Sequence, residues 1–371
     1  MMKINVRSIR PMLRRIRLFS SSDQISSTES FKVFDRSSKL RQISRSLIRN
    51  GPDHNRQTDY LRKQVSVGLV DRLLDIRRRY DEIVEFGSGA GYLLDELYES
   101  YPIKKLTMTD RSEVMLWRDR ESDPPDVEIE RIQMDEESVS FENGSKDCIV
   151  SCLSLHWVND LPGGTLIQIK NSLKPNGVFI GAMLGGDSLF ELRTSLQLAE
   201  QERLGGISPR VSPMTDSRSM SSLINRTGFK IPTIDNDEIT VRYPSMFELM
   251  DDLRSMGESN SILNRKTFLR RDTILAASSI YNELYGSSKR LEFEDENFKD
   301  DKIEVDDDDD LIDENFSIPA TFQVIYFIGW KDDDDDDDDS NIKNDNNQLE
   351  SIDRRGLNYK SFKELGESSE L

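Results

Sequence analysis

The sequence predicts an α/β fold in which a parallel sheet is covered by helices on both faces. From residue 81 onward, short apolar runs alternate with amphipathic helical segments, and glycine-containing turns separate them. Parallel strands require crossover helices of this kind. The 371 residues are 36% hydrophobic, which is enough for a buried core. Ligands of such sheets bind at the carboxyl ends of the strands, so the pattern also predicts where a site lies.

Each predicted strand is a short apolar run. In chain order the runs are DEIVEF (81–86), KKLTMTD (104–110), VEIERIQ (127–133), DCIVSCLSL (147–155) and GVFIGAML (177–184). The segments GYLLDELYES and TLIQIKNSL predict helices between them. A last run, FSIPATFQVIYFIGW (316–330), is dense in aromatic and β-branched residues and predicts a buried strand that closes the fold.

Composition excludes several classes of protein. The formal net charge of −19 argues against sequence-independent binding of nucleic acid, which needs a surplus of Lys and Arg. No run approaches 18 consecutive apolar residues, so no spanning helix is expected. Two cysteines and two histidines cannot form a disulfide scaffold or a histidine-rich metal centre. We therefore expect no metal site and no nucleic-acid partner.

The charge is unevenly distributed, and this predicts the domain organisation. Residues 1–22 are rich in Arg and Ser and contain no acid, which is typical of a mitochondrial transit peptide. An N-terminal extension is expected over 23–60 and a folded domain over 61–331. The domain is interrupted at 287–314 by an acidic, disordered insertion, and an acidic low-complexity tail follows at 332–371.

The first strand ends in a glycine turn that indicates a ligand. Glu85 precedes Gly87, Gly89 and Gly91, which have G-x-G-x-G spacing and not the G-x-G-x-x-G of dinucleotide sites. Glycines permit positive φ and close approach of a ligand to the backbone. No lysine or arginine stands in the turn to bind a phosphate. The turn alone is weak support for a nucleotide site, so further residues are needed.

Two aspartates at successive strand ends strengthen the prediction. Asp110 closes the second strand, where an acid can accept both hydroxyls of a ribose, and Asp135 follows the third, where it can accept from adenine N6. The alternative is that both aspartates cap helices. A nucleoside-shaped pocket without a phosphate site fits S-adenosylmethionine. The pattern resembles the class I S-adenosylmethionine-dependent methyltransferase (Rossmann-like) fold, with helical lid insertions expected at 187–204 and 243–286.

Catalytic candidates are few. His156, Trp157 and Asp160 follow the fourth strand at the lip of the predicted pocket, and a neutral histidine there could move a proton near pH 7. A structural role for His156 remains the alternative. In the predicted lid, acids including Asp251 and Glu258 could pair with a guanidinium group or could belong to a solvated helix face.

Longer stretches resemble one family more specifically. These are FDRSSKLRQ, LSLHWVNDLPG, IGAMLGGDSLFELRTSLQLAE, GGISPRVSPM, YPSMFELMDDLRSMGESN and RRDTILAASSIYNELYG. They resemble the methyltransferase-like assembly factors of mitochondrial respiratory complex I, which are arginine hydroxylases. Departures are small: Ser88 stands where relatives often have cysteine, and Glu85 where aspartate is common.

The resemblance implies a function that the pocket alone does not. It implies hydroxylation of an arginine in a complex I iron–sulfur subunit, in the mitochondrial matrix and peripheral to the inner membrane, with S-adenosylmethionine bound as cofactor. Two histidines do not form an iron facial triad, since His54 lies outside the strand ends. Two alternatives remain: a methyltransferase acting on a small or carrier-bound substrate, and a non-catalytic assembly chaperone.

Overall fold

The computed structural model describes residues 32–266, 268–288 and 316–333. Eight strands of these ranges form one mixed sheet. The strands are β1 (Glu82–Phe86), β2 (Lys105–Asp110), β3 (Glu128–Gln133), β4 (Lys146–Cys152), β5 (Leu173–Leu184), β6 (Lys230–Tyr243), β7 (Ser287–Ser288) and β8 (Phe316–Trp330). The predicted α/β class is confirmed.

The strand order places the predicted site. The order is β3-β2-β1-β4-β5-β8-β6, with β7 paired to one end of β8. Strands β1 to β5 are parallel, whereas β8 runs antiparallel to both β5 and β6. The chain runs from β1 outward to β3 and then returns to the other side of β1. The order therefore reverses between β1 and β4, and their carboxyl ends flank the crevice in which ligands of open sheets bind.

The helices, in chain order, fill both faces. They are α1 (Arg36–Arg56), α2 (Tyr60–Leu74), α3 (Tyr92–Ser100), α4 (Glu113–Leu116), α5 (Ile167–Ser172), α6 (Phe190–Leu204), α7 (Ser217–Arg226), α8 (Met246–Ser255) and α9 (Arg271–Tyr285). Helix α1 is kinked at Gly51, where φ is 83°. Helices α6, α8 and α9 lie within the two stretches predicted as lid material.

Strand β5 shows how the core is divided. Val178, Ile180 and Ala182 belong to a large apolar cluster that includes buried residues of α2, α3, α6, α8 and α9. The alternate residues Phe179 and Met183 belong to a second cluster with α5 and α7. Because successive side chains of a strand point to opposite faces, this alternation means that both faces of the sheet are buried.

Three predicted elements have different boundaries in the structure, and the first is β4, which ends at Cys152 and not at the predicted residue 155. Strand β5 begins at Leu173, four residues before the predicted start. Leu173 is the last residue of the predicted helix 165–173, so that helix ends one residue earlier than predicted. That helix is observed as a π-helical segment, Leu161–Leu166, followed by α5. Leu173 pairs with Lys146, so ladder pairing with β4 extends the strand backward beyond the apolar run.

Strand β6 was not predicted. Its middle contains Asp235, Asn236, Asp237 and Glu238, which are residues depleted in strands. The strand lies at the edge of the sheet and pairs with β8 alone along the main strand order. Charged residues are common on such edges because they prevent pairing with other chains. Pairing with the buried β8 therefore overrides the local preference.

Several predicted segments lie partly or wholly outside the described ranges. The predicted transit peptide 1–22 lies wholly outside, as do most of the insertion 287–314 and of the tail 332–371. The first two residues of the predicted insertion are an exception, since they form β7 against Ser317 and Phe316. Within the predicted extension 23–60, the described part contains α1.

Candidate functional site

The glycine turn after β1 brings the backbone close to the end of β4. Gly87, Gly89 and Gly91 have φ values of 71°, 58° and 90°, a region that favours glycine. A side chain at position 87 would overlap Ser154, and one at position 91 would overlap the Met108 side chain. The turn therefore needs glycine for its conformation and for its close contacts.

Glu85 lies in β1, directly before this turn, and is completely buried. Within the described part of the chain, neither carboxyl oxygen has a hydrogen-bond partner of good geometry. Burial raises the pKa of Glu85 to about 8; the backbone N–H of Leu93 opposes the rise and Asp110 adds to it. An unpaired buried carboxyl group is costly, so a bound ligand that donates hydrogen bonds would offset the cost here.

Asp110 ends β2 and is held rigidly beside the turn. Its Oδ2 accepts from the Gly89 N–H at 2.8 Å, and its Oδ1 accepts from the Ser112 N–H at 2.6 Å. Both oxygens keep a free lone pair for a further donor. Burial raises the pKa of Asp110 to about 7 and repulsion from Glu136 adds to the rise, although the two backbone hydrogen bonds oppose it. The group can accept two hydroxyls, as predicted for a ribose site.

Asp135 follows β3 but is already engaged. Its Oδ1 accepts from Arg36 at 2.8 Å, and its Oδ2 lies 3.1 Å from Arg111 Nε. Burial opposes ionisation, but the Glu137 N–H and the two guanidinium groups hold the pKa of Asp135 below its ordinary value. The adjacent Glu136, which the sequence analysis did not single out, binds Arg36 and lines the cavity described next. In a run of three acids, spacing alone does not tell which one faces a pocket.

A cavity that is open to solvent lies at the carboxyl ends of β1, β2 and β4. Its lining residues are Arg36, Lys39, Leu40, Ile43, Arg62, Gly87, Asp110, Arg111, Glu136, Leu153, Ser154 and Trp157. A second cavity adjoins it, because Ile43, Arg62 and Asp110 line both. The two cavities meet beside Asp110, and α1 supplies a wall to each.

Neither predicted aspartate caps a helix, so that alternative fails for the described structure. The N-cap residue of α4, which follows Asp110 in the chain, is Ser112, and no side chain caps that helix. The π-helical segment Leu161–Leu166, which follows Asp135, is capped by Asp160. Asp160 Oδ1 accepts from the Gly163 N–H at 2.8 Å, and Asp160 does not line either cavity. The observed role of Asp160 is therefore structural, as the N-cap of this segment.

His156 and Trp157 form part of a 3-10 turn, Leu155–Trp157, after β4. Trp157 lines the cavity. Its Nε1 donates to Glu258 Oε2 at 2.8 Å, and His156 Nε2 lies 3.2 Å from the same oxygen. Burial lowers the pKa of His156, which keeps the ring neutral near pH 7.

The sequence analysis did not assign Glu258 to a buried cluster. Its side chain is only 5% exposed, so the expectation of a solvated helix face is wrong for this residue. Burial alone would raise its pKa, but Lys39, His156 and Arg62 hold the pKa of Glu258 well below its ordinary value. An ionised carboxylate only accepts hydrogen bonds, so the proton of His156 is assigned to Nε2. The other nitrogen, Nδ1, is buried without a partner in the described structure.

Within 32–266, 268–288 and 316–333, no group of three or more His, Cys, Asp and Glu side chains is arranged to hold a metal ion. The polar groups at the strand ends are instead carboxylates and cations in close pairs, such as Arg36 with Asp135.

Comparisons with known proteins agree with this geometry. Residues 53–233 match the family model described as a methyltransferase domain. The chain is 40% identical to "Arginine-hydroxylase NDUFAF5, mitochondrial" of Danio rerio, over 89% of this chain and 90% of that protein. It is 42% identical to the Homo sapiens protein of the same name, over 82% and 79% of the two chains.

A more distant relative has a different activity in its name. The malonyl-[acyl-carrier protein] O-methyltransferase of Laribacter hongkongensis is 25% identical over 73% of this chain and 82% of that protein. Identity is therefore much higher to the two mitochondrial proteins, over 90% and 79% of their lengths. The chain belongs to the family of the mitochondrial arginine-hydroxylase NDUFAF5, with a fold of the class I methyltransferase type.

Proposed function

We propose that this protein is a mitochondrial protein-arginine hydroxylase that acts in the assembly of respiratory complex I. The observation that carries the proposal is 40% identity over 90% of a curated arginine hydroxylase. The substrate that we propose is an arginine side chain of a complex I iron–sulfur subunit. We further propose a location in the matrix, peripheral to the inner membrane, after removal of the basic presequence 1–22. Among the described residues, no helix has the length and apolarity needed to cross a bilayer.

We propose S-adenosylmethionine as the cofactor. Three features of the chain support the fit. Asp110 has lone pairs free for two ribose hydroxyls, Glu85 has two orphaned oxygens beside the turn, and Glu136 and Asp135 stand at the end of β3. The Glu85 carboxylate would bind the ammonium group, and an acid after β3 would accept from adenine N6.

When bound, this cofactor supplies an activated methyl group and a positive sulfonium. The chain's own residues bind it and limit access of water to it. Leu40 and Ile43 of α1, Leu153 after β4 and the Trp157 ring give the cavity apolar surface. Hydroxylation replaces a C–H bond of the arginine by C–OH, which consumes an oxygen donor such as O2 together with a two-electron reductant and transfers no methyl group. We therefore propose that the cofactor is held without its methyl group appearing in the arginine product.

Mass spectrometry of complex I subunits tests the proposed activity. Cells with the gene intact and cells with it deleted would be compared for an arginine of the iron–sulfur subunit that carries one added oxygen atom. We expect that adduct in the first cells and its absence in the second. A gene-dependent methyl adduct on the same subunit, with no oxygen adduct, would contradict the proposal.

A methyltransferase acting on a small or carrier-bound substrate is the second candidate. Two observations favour it, namely the match to a methyltransferase domain and the similarity to a carrier-protein O-methyltransferase. It predicts that the purified protein converts S-adenosylmethionine to S-adenosylhomocysteine in the presence of malonylated carrier protein. If neither product forms while complex I still fails to assemble in deleted cells, a non-catalytic chaperone role replaces both.

A further inference from the structure

Glu258 connects three separate parts of the chain. Its Oε1 accepts from Arg62 of α2 at 2.8 Å. Its Oε2 accepts from Lys39 of α1 at 3.2 Å and from Trp157 Nε1 at 2.8 Å, and it lies 3.2 Å from His156 Nε2. All four partners are donors, three of them on Oε2 and one on Oε1, so the carboxylate joins all of them at one point.

Three of these partners line the cofactor cavity, and Glu258 does not. Lys39, Arg62 and Trp157 are lining residues. Lys39 is further fixed at its tip: its Nζ donates to the Gly257 carbonyl at 2.6 Å and lies 3.4 Å from the centroid of the Trp157 ring. Glu258 therefore touches the cavity only through other side chains.

The ion pairs are buried, which makes them mutually dependent. The side chains of Lys39 and Glu258 are each 5% exposed, and that of Arg62 is 13% exposed. Removal of one member of such a group leaves an uncompensated buried charge, which is strongly destabilising for the local arrangement. Burial lowers the pKa of Lys39 to about 7, and Glu258 opposes that fall. When Glu258 loses its charge, Arg62 loses its carboxylate partner and Lys39 loses the contact that holds its proton, so separation of α1 from α2 and from the turn after β4 becomes easier.

The wall that α1 forms is also held at other points, such as Arg36 with Asp135 near its start and Arg56 with Asp119 at its end. Asn159 Oδ1 accepts from the N–H groups of Val33 and Phe34 at 2.8 Å and 2.7 Å, and the Phe34 ring packs edge-on against Trp157 at 5.3 Å. A ligand held against α1 is released faster when this wall moves away, and such movements often set the rate of release.

We infer that Glu258 is a positioning residue that holds α1, α2 and the turn after β4 around the cavity and thereby slows the release of S-adenosylmethionine or its demethylated product. The inference rests on the proposed cofactor. It assigns no chemical step to Glu258.

Dissociation kinetics of S-adenosylhomocysteine, measured by stopped-flow displacement from the full-length protein, test the inference. For Glu258→Gln we expect release about tenfold faster or more, with an association rate constant close to that of the wild type. The matched control is Glu200→Gln. Glu200 is also fully buried and also pairs with an arginine, Arg210, at 2.7 Å, but neither residue lines the cavity. We expect the control to lower the melting temperature and to leave the release rate unchanged.

Lys39→Met gives a second route, because it keeps the length of the side chain and removes the cation. We expect faster release from Lys39→Met alone, and no further acceleration when it is combined with Glu258→Gln, since both changes break the same connection. The double variant should regain part of the thermal stability lost in Glu258→Gln, because no buried amine is left without its carboxylate partner at position 39. A double variant that releases at the product of the two single effects would overturn the inference.

The cofactor proposal and this inference fail in different ways. If wild-type protein does not bind S-adenosylhomocysteine or S-adenosylmethionine, the proposed cofactor is wrong. If the wild type binds and the folded Glu258→Gln and Lys39→Met variants release the ligand at the wild-type rate, the cofactor stands and the positioning role of Glu258 is overturned.

Discussion

The two halves of the candidate site are built in different ways. Around β1 and β2, Glu85, the glycine turn and Asp110 come from two neighbouring strands and meet through short backbone contacts. Around Glu258, the contacts join residues between 101 and 219 positions apart in the chain. The first half is a local motif and the second is a tertiary cluster. We therefore expect changes in the first to act on cofactor affinity, and changes in the second to act on the rate of release.

Gly87→Ala should have the largest effect. The substitution places a side chain at a φ of 71° and against Ser154. Strain and overlap together should raise the free energy of the observed turn conformation by about 2–5 kcal/mol. Because the ligand needs this conformation, binding of S-adenosylhomocysteine should become undetectable by titration calorimetry. Gly144→Ala is the matched control, since Gly144 also has a positive φ of 64° but nothing within 4 Å of an added side chain. Wild-type affinity in Gly87→Ala would show that the turn does not approach the ligand.

Asp110→Ala should have the next largest effect. The change removes an acceptor for two backbone N–H groups and for the ribose hydroxyls, so the affinity for S-adenosylhomocysteine should fall by about 2–3 kcal/mol. Asp160→Ala removes a comparable acceptor from a helix cap and should lower stability by about 1 kcal/mol, with no change in affinity. Equal losses of affinity in the two variants would contradict the assignment of Asp110 to the ligand.

The affinity for the cofactor should depend on pH through Glu85. Its pKa is raised to about 8 in the free protein, so the carboxyl group is mostly protonated at pH 7. A ligand ammonium group binds the ionised form. The affinity should therefore rise by up to about tenfold per pH unit between pH 6 and 8 and then level off.

Stability of the free protein should move in the opposite direction. Because the folded-state pKa of Glu85 lies above its ordinary value of 4.5, the folded protein binds more protons than the unfolded chain in that window. The contribution of Glu85 to the free energy of unfolding is therefore fully present below about pH 4.5 and is lost as the pH rises toward 8. Glu85→Gln should reduce both slopes and leave the part due to Asp110, whose pKa is raised to about 7. A wild-type affinity that stays flat from pH 6 to 8 would exclude Glu85 as the partner of the ammonium group.

Asp251→Asn should have the smallest effect and sharpens the contrast with Glu258. Asp251 lies on α8 and pairs with Arg254 at 2.5 Å, but the two side chains are 72% and 65% exposed. Pairs of this kind contribute little because water screens them. We expect neither the melting temperature nor the rate of S-adenosylhomocysteine release to change. A marked acceleration of release would mean that charge on α8 in general, and not the buried contacts of Glu258, controls the cavity.

The fold and half of the site could be predicted from sequence because their determinants are local. Apolar runs of five to fifteen residues mark buried strands such as β1 and β8, and a strand–glycine–helix pattern places Asp110 at a strand end. Strand β6 escaped prediction because its polar residues are held by pairing with β8 and not by their own preference.

Glu258 escaped prediction for a related reason. In sequence it stands next to Gly257, Ser259 and Asn260 just after a helix, where solvent exposure is the usual state of a glutamate. Its burial depends on Lys39, Arg62 and the turn after β4, which come from three distant segments. No pattern within one segment indicates such a cluster.

The most direct test of the proposed function combines the pocket with the product. Cells that lack the gene would be complemented with the wild type, with Asp110→Ala or with Asp160→Ala, and arginine oxygenation in the complex I iron–sulfur subunit would be quantified by mass spectrometry. We expect the oxygen adduct to return with the wild type and with Asp160→Ala, and to stay absent with Asp110→Ala. Return of the adduct with Asp110→Ala at the wild-type level, at matched protein abundance, would contradict the proposal that hydroxylation depends on this pocket.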